Sequence, residues 1–204
     1  MTSEALSGFK IFRLTEMIQQ LGEERVEKVL SSFCSPMNED IEYFLKQKAV
    51  PLEKQSVSRT HLVYASFRKK PVLTGYFTLS TKIFDIPKKS VSSNMKRKIN
   101  RFGNYNSEMK CYTISAPLIA QLGKNYTNGY DKLITGDELL QMACDIISDV
   151  QLSIGGKIAY IECEDKSKLI NFYEKNGFRI FSKRELDKDD KVKGKYLIQM
   201  LKVL

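Results

Sequence analysis

The sequence predicts a mixed α/β fold whose sheet holds strands of both orientations, and three observations predict it. Helical spacing fills the N-terminal part, aromatic and β-branched runs follow as an antiparallel meander, and strands then alternate with helices to the C-terminus. The 204 residues suffice for one domain with a real core, or for two very small ones. Hydrophobic residues make up 42%, so folding requires neither metal nor disulfide.

The elements follow in chain order. "RLTEMIQQLGEERVEKVLSSF" places Leu14, Met17, Ile18 and Leu21 on one helical face, then Val26, Val29 and Leu30, with Gly22 dividing the two pieces. "NEDIEYFLKQKAV" opens on an asparagine suited to cap a helix, has acids in its first turn and turns Ile41, Phe44 and Leu45 to one side. "THLVYASF" and "VLTGYFTLS" read as strands joined by a turn at "RKKP". "KCYTISAPLIAQLG" is a longer strand in which Pro117 cannot donate to a ladder, which marks a bulge or an edge. After the loop "KNYTNGYDKLIT", "GDELLQMACDIISDVQLSI" is an amphipathic helix closed by two glycines. "KIAYIECE" is a strand and "DKSKLINFYEKN" a helix closed by Gly177. "FRIFSKREL" and "YLIQMLKVL" form a last hairpin around the charged turn "DKDDKVKGK".

Several functions are excluded at this level. Cys34, Cys111, Cys144 and Cys163 have no CxxC spacing and the chain has one histidine, which argues against a zinc site. Free thiols buried in a reducing cytosol account for the cysteines, and a cytoplasmic location is expected. The N-terminus has no signal-peptide pattern, and no apolar run approaches the ~20 residues needed to span a bilayer. The formal net charge is +9. The stretch "IPKKSVSSNMKRKINRFGNYNS" contains Lys88, Lys89, Lys96, Arg97, Lys98 and Arg101 and no acid. Such a segment reads either as a solvated loop or as a phosphate-binding surface. The interleaved Ile99, Phe102 and Tyr105 favour RNA phosphate contact.

Two motifs carry a resemblance. "NFYEKNGF", after the strand "KIAYIECE", resembles the F-Y-x-x-x-G-F end of a helix in the GCN5-related N-acetyltransferases (GNAT), with Phe172, Tyr173, Gly177 and Phe178 as the matching positions. The similarity runs from about Ser31 to the C-terminus. "LTGYFTLS", matching at Gly75 to Leu79 and followed by a basic insertion over residues 81–110, is similar to the tRNA-acetylating toxins of toxin–antitoxin pairs. The resemblance implies a single GNAT domain over residues 1–204 with a central, mostly antiparallel sheet flanked by helices. It implies acetyl-CoA as the acetyl donor, and aminoacyl-tRNA and an antitoxin protein as partners. Homodimer assembly stays open. Two other readings also remain: acetylation of a small-molecule or protein amine, and a non-catalytic RNA- or protein-binding module.

By the same resemblance, Tyr173 is the acid that protonates the leaving thiolate. A thiol titrates near about 8.5 and a phenol near about 10, so the phenol can give a proton to sulfur. The alternative role for Tyr173 is packing on the sheet with its hydroxyl in water. Leu122, Gly123, Lys124, Ile134, Thr135, Gly136 and Asp137 are the implied acetyl-CoA contacts, through a splayed strand that can pair with the pantetheine arm and a loop that holds pyrophosphate by backbone N–H groups. That loop departs from the family's Arg/Gln-x-x-Gly-x-Gly/Ala pattern. Asp131 and Ile134 stand at its first and fourth positions, and only Gly136 fits. Glu162 and Glu164 read as solvated acids at a strand end, ahead of a role as base through water. His61 has no serine or cysteine partner and reads as structural.

Overall fold

The structure, a computed structural model, describes residues 8–186 and 194–204, so most of the expected turn "DKDDKVKGK" lies outside the described residues. The chain divides into two compact units, Met1–Ser80 with Ala120–Ala143 and Thr81–Ile119 with Cys144–Leu204.

The first unit begins with a short strand, β1 (Phe9–Arg13), and two helices, α1 (Leu14–Leu21) and α2 (Glu23–Ser31). Gly22 separates the helices at φ +82°, a left-handed conformation that suits glycine, and its N–H bonds Ile18 O at 2.9 Å. α3 (Glu39–Tyr43) starts at Asn38, whose side chain accepts the Asp40 N–H at 3.0 Å as the sequence predicts. A π-helical turn, Phe44–Lys48, leads into α4 (Ala49–Lys54). β2 (Arg59–Phe67) and β3 (Lys70–Pro87) then complete an antiparallel meander with β1. Leu14, Val26, Leu30, Phe33, Leu45, Leu62, Leu73 and Tyr76 pack into one core.

The first four positions of the "GYFTL" run have packing roles. A Cβ on Gly75 would stand 2.9 Å from Gly123 O and 3.2 Å from Leu139 Cδ2, so a side chain there would force the strand and helix apart. Tyr76 is fully buried and donates to Ile41 O at 2.6 Å. Phe77 stacks on His61 at 4.9 Å, and the buried Thr78 hydroxyl pairs with that of Thr60 at 3.0 Å.

The second unit holds the end of β3, α5 (Ser93–Ile99), β4 (Asn104–Asn106), most of β5 (Cys111–Lys124), β6 (Ile158–Glu164), α7 (Ser167–Lys175), β7 (Arg179–Glu185) and β8 (Tyr196–Val203). α6 (Gly136–Ile154) starts in the first unit and ends in the second. β4 pairs antiparallel with β5, and β8 with both β6 and β7. β5 and β6 are parallel and in register at Leu118–Tyr160 alone. Pro117, without an N–H, sits beside that pair. Phe84, Ile86, Ile99, Tyr112, Ile114, Tyr160, Phe181 and Leu201 form the core of this unit.

Among the described residues no helix is long and apolar enough to cross a membrane, and no group of three or more His, Cys, Asp or Glu could hold a metal. All four cysteines are unpaired, and Cys111, Cys144 and Cys163 are buried.

Candidate active site

In the first unit, β5 ends on Gly123 and Lys124, and the loop to α6 follows. Gly123 is a packing glycine. A Cβ there would meet Ile41 Cγ2 at 2.3 Å and Tyr76 Cε1 at 3.2 Å, which explains its missing side chain without any ligand. Asn125 pins the start of the loop. Its side-chain amide donates to Leu73 O at 2.8 Å, its Oδ1 accepts from the Cys34 and Thr127 amides at 3.1 Å each, and its backbone N–H bonds Thr74 O at 2.8 Å. The turn within "NYTNGY" comes from Asn128 at φ +52° and Gly129 at φ +75°, two residue types that tolerate the left-handed region.

Ile134 stands where the resembled loop pattern has its first glycine, and the backbone shows why this is tolerated. Ile134 lies at φ −141°, ordinary extended chain, with its side chain buried in the core. Lys124 draws the loop together from beneath: its Nζ donates to Asp131 O at 2.8 Å and Ile134 O at 3.2 Å. Lys124 therefore acts on the loop rather than projecting from it. Thr135 and Glu138 form a capping box. Glu138 Oε2 accepts the Thr135 N–H and hydroxyl at 2.8 Å each, and the Thr135 hydroxyl oxygen accepts the Glu138 N–H at 3.1 Å. The Thr135 amide, then its hydroxyl, hold the Glu138 carboxyl below its ordinary value. The first-turn amides of Gly136 and Asp137 lie at the positive end of the α6 dipole, where an anion is favoured. Leu122 and Lys124 are half-buried, with the strand backbone between them running toward the loop.

In the second unit, "FYEKNGF" folds as a helix stop. The Gly177 N–H bonds Glu174 O and the Phe178 N–H bonds Tyr173 O, both at 3.0 Å, and Gly177 lies at φ +88°. This is a Schellman closure, whose usual companion is an apolar contact between the residue after the glycine and the one three positions before the helix cap. Here that contact is the fully buried Phe178 against the Tyr173 ring, edge-on at 5.8 Å, and Phe172 also meets that ring edge-on at 4.9 Å. The ring of Tyr173 is thus structural. Its hydroxyl makes no hydrogen bond among the described residues, and burial, then the neighbouring Cys163, push its pKa up. The phenol is a proton donor that holds its proton at neutral pH.

Glu162 does not fit the expectation of a solvated acid. One β6 neighbour, Tyr160, and two cations, Lys82 and Arg184, enclose it. Lys82 Nζ donates to both carboxylate oxygens at 3.0 and 3.1 Å. The Arg184 guanidinium reaches Oε2 through Nε at 2.9 Å and Nη2 at 2.8 Å, and Tyr160 donates to Oε1 at 2.5 Å. Gln199 in turn donates to the Tyr160 hydroxyl at 2.7 Å. Burial pushes the carboxyl up, but the bonds from Arg184, Tyr160 and Lys82 outweigh it and bring its pKa to about 2. A carboxylate held this way is a poor base. Glu164 is tied to Lys166 at 2.5 Å. His61 is buried with Nδ1 unpartnered, and burial, then Arg13, lower its pKa to about 4.

The basic insertion has regular structure. Lys88 and Lys89 form a single helical turn after β3, and α5 carries Lys96, Arg97 and Lys98. Ser92 caps α5, accepting the Met95 N–H at 3.3 Å, and the buried Ile99 anchors it in the core. Ile99 is therefore a core residue and no part of an RNA surface, because its side chain is fully enclosed. Phe102 and Tyr105 are exposed, and Lys88 Nζ lies 4.9 Å above the Tyr105 ring. None of the six cations makes an ion pair among the described residues, so their charge faces solvent uncompensated.

No protein-family model matches the chain, and no curated protein matches it. Solved structures do. AtaT complexed with acetyl-methionyl-tRNAfMet is similar at a TM-score of 0.62 and 16% identity, covering 93% of each chain. A mutant of KacT is similar at a TM-score of 0.60 and 15% identity, covering 94% of each. A mutant AtaT toxin bound to the C-terminus of the antitoxin AtaR and acetyl-CoA matches at 0.54 and 15%, covering 94% of this chain and 92% of that one. At such identities the likeness shows the fold, and the chain has the GNAT fold that the resemblance implies.

Proposed function

We propose that the chain is an acetyl-CoA-dependent N-acetyltransferase acting in the cytoplasm on a primary amine, the amino group of an aminoacyl-tRNA. It would act as one functional domain that an antitoxin protein holds in check. The observation that carries this reading is the shared fold, along nearly the whole of both chains, with a protein solved together with acetyl-methionyl-tRNAfMet.

Acetyl-CoA supplies an activated acetyl thioester. The chain's own residues divide the remaining work. The amides of Gly136 and Asp137 hold the pyrophosphate, on a loop that Lys124 shapes through the Asp131 and Ile134 carbonyls. The edge of β5 that runs on past its single pairing point with β6 offers backbone donors and acceptors to the amide-rich pantetheine arm. As the C–N bond forms and the C–S bond breaks, Tyr173 gives its proton to the departing sulfur, and the amine's proton passes to water. Glu162 keeps its charge for Lys82 and Arg184 and takes no proton. With no base assigned, the acceptor must be an amine already partly neutral near pH 7–8. An α-amino group, at about 8, meets that condition better than a lysine side chain at about 10.4. Lys88, Lys89, Lys96, Arg97, Lys98 and Arg101 take the RNA phosphates.

One observation favours a second reading. Ile134 replaces the loop's first glycine, and the Glu138 carboxylate occupies the Thr135 amide. Both suit a non-catalytic RNA-binding module. Thermal unfolding with acetyl-CoA separates the two readings. At ~100 times its Kd the ligand adds about 2.7 kcal/mol to stability. A raised Tm supports the acetyltransferase, and an unchanged Tm at millimolar acetyl-CoA supports the module.

A further inference from the structure

In the first unit a cleft of ≈ 430 Å³ opens between the β2–β3 turn and the loop that leads into α6. Phe67, Arg68, Lys70, Val72, Asn128 and Tyr130 line it. The volume falls at the lower end of the range for small-molecule sites. Its wall is aromatic: the Phe67 and Tyr130 rings meet edge-on at 5.5 Å, and the Asn128 side-chain amide donates to the Tyr130 hydroxyl at 3.3 Å. Its rim is cationic: the Arg68 guanidinium stands 5.2 Å over the Phe67 ring, beside Lys69 and Lys70. Among the described residues none of these three cations makes an ion pair.

The turn itself is unusual in its residues. Phe67 pairs with Lys70, so Arg68 and Lys69 form a two-residue hairpin turn, at φ +50° and +62°. Such turns favour Asn-Gly, since both positions are left-handed. Placing two long cations there strains the backbone, and strain of this kind is found where a side chain has work to do. Rings flanked by unpaired cations suit a nucleobase with a phosphate.

We propose that this cleft is the subsite for the 3′-phosphorylated adenosine end of coenzyme A, with the base against Tyr130 and Phe67 and the 3′-phosphate on Arg68 and Lys70. The inference rests on the acetyltransferase reading. It is tied to the loop by chain and by contact. Tyr130 adjoins Asp131, whose carbonyl is held by Lys124, and the same loop continues into Gly136, where the pyrophosphate is assigned. The cleft wall and the pyrophosphate loop are thus parts of one short run of chain, residues 128–136.

The test uses the wild type, Arg68→Gln/Lys70→Gln and Tyr130→Ala. All three substitutions fall on side chains at the surface or half-buried, and Tm serves as the fold control. Adenosine 3′,5′-bisphosphate is titrated into each protein, and KM is measured for acetyl-CoA and for 3′-dephospho-acetyl-CoA. The wild type should bind the bisphosphate, and the double variant should bind it about 10-fold or more weakly. The wild type's preference for acetyl-CoA over its 3′-dephospho form should vanish in the double variant, with kcat unchanged. Tyr130→Ala should weaken both donors alike. Equal bisphosphate affinity in wild type and variants overturns the proposal. So does a loss of RNA affinity with bisphosphate binding intact, which would make the cleft an RNA contact. If the bisphosphate discriminates as expected while no acetyl transfer is found with any amine, the enzymatic reading fails and the subsite stands.

Discussion

Tyr173→Phe removes one oxygen and nothing else that the structure uses. The ring keeps its edge contacts with Phe172 and Phe178, and the closure of α7 is made by backbone bonds to Glu174 and Tyr173 carbonyls, which the substitution leaves in place. The hydroxyl makes no hydrogen bond among the described residues, so no partner is orphaned. The stability change should lie within about 0.5 kcal/mol. Loss of a general acid, by contrast, lowers turnover by ~10²–10⁴, or about 2.7–5.4 kcal/mol of transition-state stabilisation. Tyr173→Ala would confuse the two effects, because it also empties the apolar contact of the helix stop. The assay is thiol release at saturating acetyl-CoA and acceptor, with urea unfolding of the same samples. Because burial raises the phenol's pKa, this group should not bring the wild-type rate down on the alkaline side through about pH 10. An unchanged kcat in Tyr173→Phe would remove Tyr173 from the chemistry and leave it the helix-closing role alone.

Lys124→Met should release the Asp131 and Ile134 carbonyls and raise KM for acetyl-CoA by about 10-fold or more with kcat nearly unchanged, and Lys124→Arg should recover part of it; a fall in kcat alone would contradict the positioning role. Neutralising Lys96, Arg97, Lys98 and Arg101 to Gln should flatten the slope of log K against log salt for tRNA by about 3–4, taking ~0.7–0.9 per contact, with acetyl-CoA binding intact; identical slopes would reject this surface. His61, at about 4 in the folded protein against about 6.5 unfolded, is buried neutral, so the unfolded chain takes up the proton first and stability falls as pH drops from about 6.5 toward about 4. Between pH 7 and pH 5 the loss should be about 2 kcal/mol by urea unfolding, and His61→Phe should abolish most of it; Glu162, whose carboxyl is held to about 2, loses its contribution only below that window.

The strand–helix order was readable because its long elements carry strong periods: α6, β2 and β8 fall where the pattern puts them. β1 has no readable period, because "FKIFR" is short, mostly exposed and fused directly to α1. α5 was hidden by its charges, although Ser92 as cap and Met95 and Ile99 on one side were present in the sequence. The loop before α6 departs from the phosphate motif in its side chains at Asp131 and Ile134, while its backbone keeps a capped helix start. The signal that explains it, Thr135 and Glu138 at capping-box spacing, was equally legible in "TGDE". Lys124 and Asn125 could not be assigned roles from spacing, since their partners are backbone carbonyls and amides. The clamp on Glu162 joins Lys82 and Arg184 from distant parts of the chain, and no local pattern announces it.

The most direct measurement incubates the protein with acetyl-CoA and a pool of aminoacyl-tRNAs, then identifies by mass spectrometry the aminoacyl-adenosines released by nuclease. The assignment predicts N-acetylated aminoacyl-adenosine that depends on acetyl-CoA and is strongly reduced with Tyr173→Phe. Unmodified aminoacyl-adenosine throughout, from protein that binds both acetyl-CoA and tRNA, would contradict it.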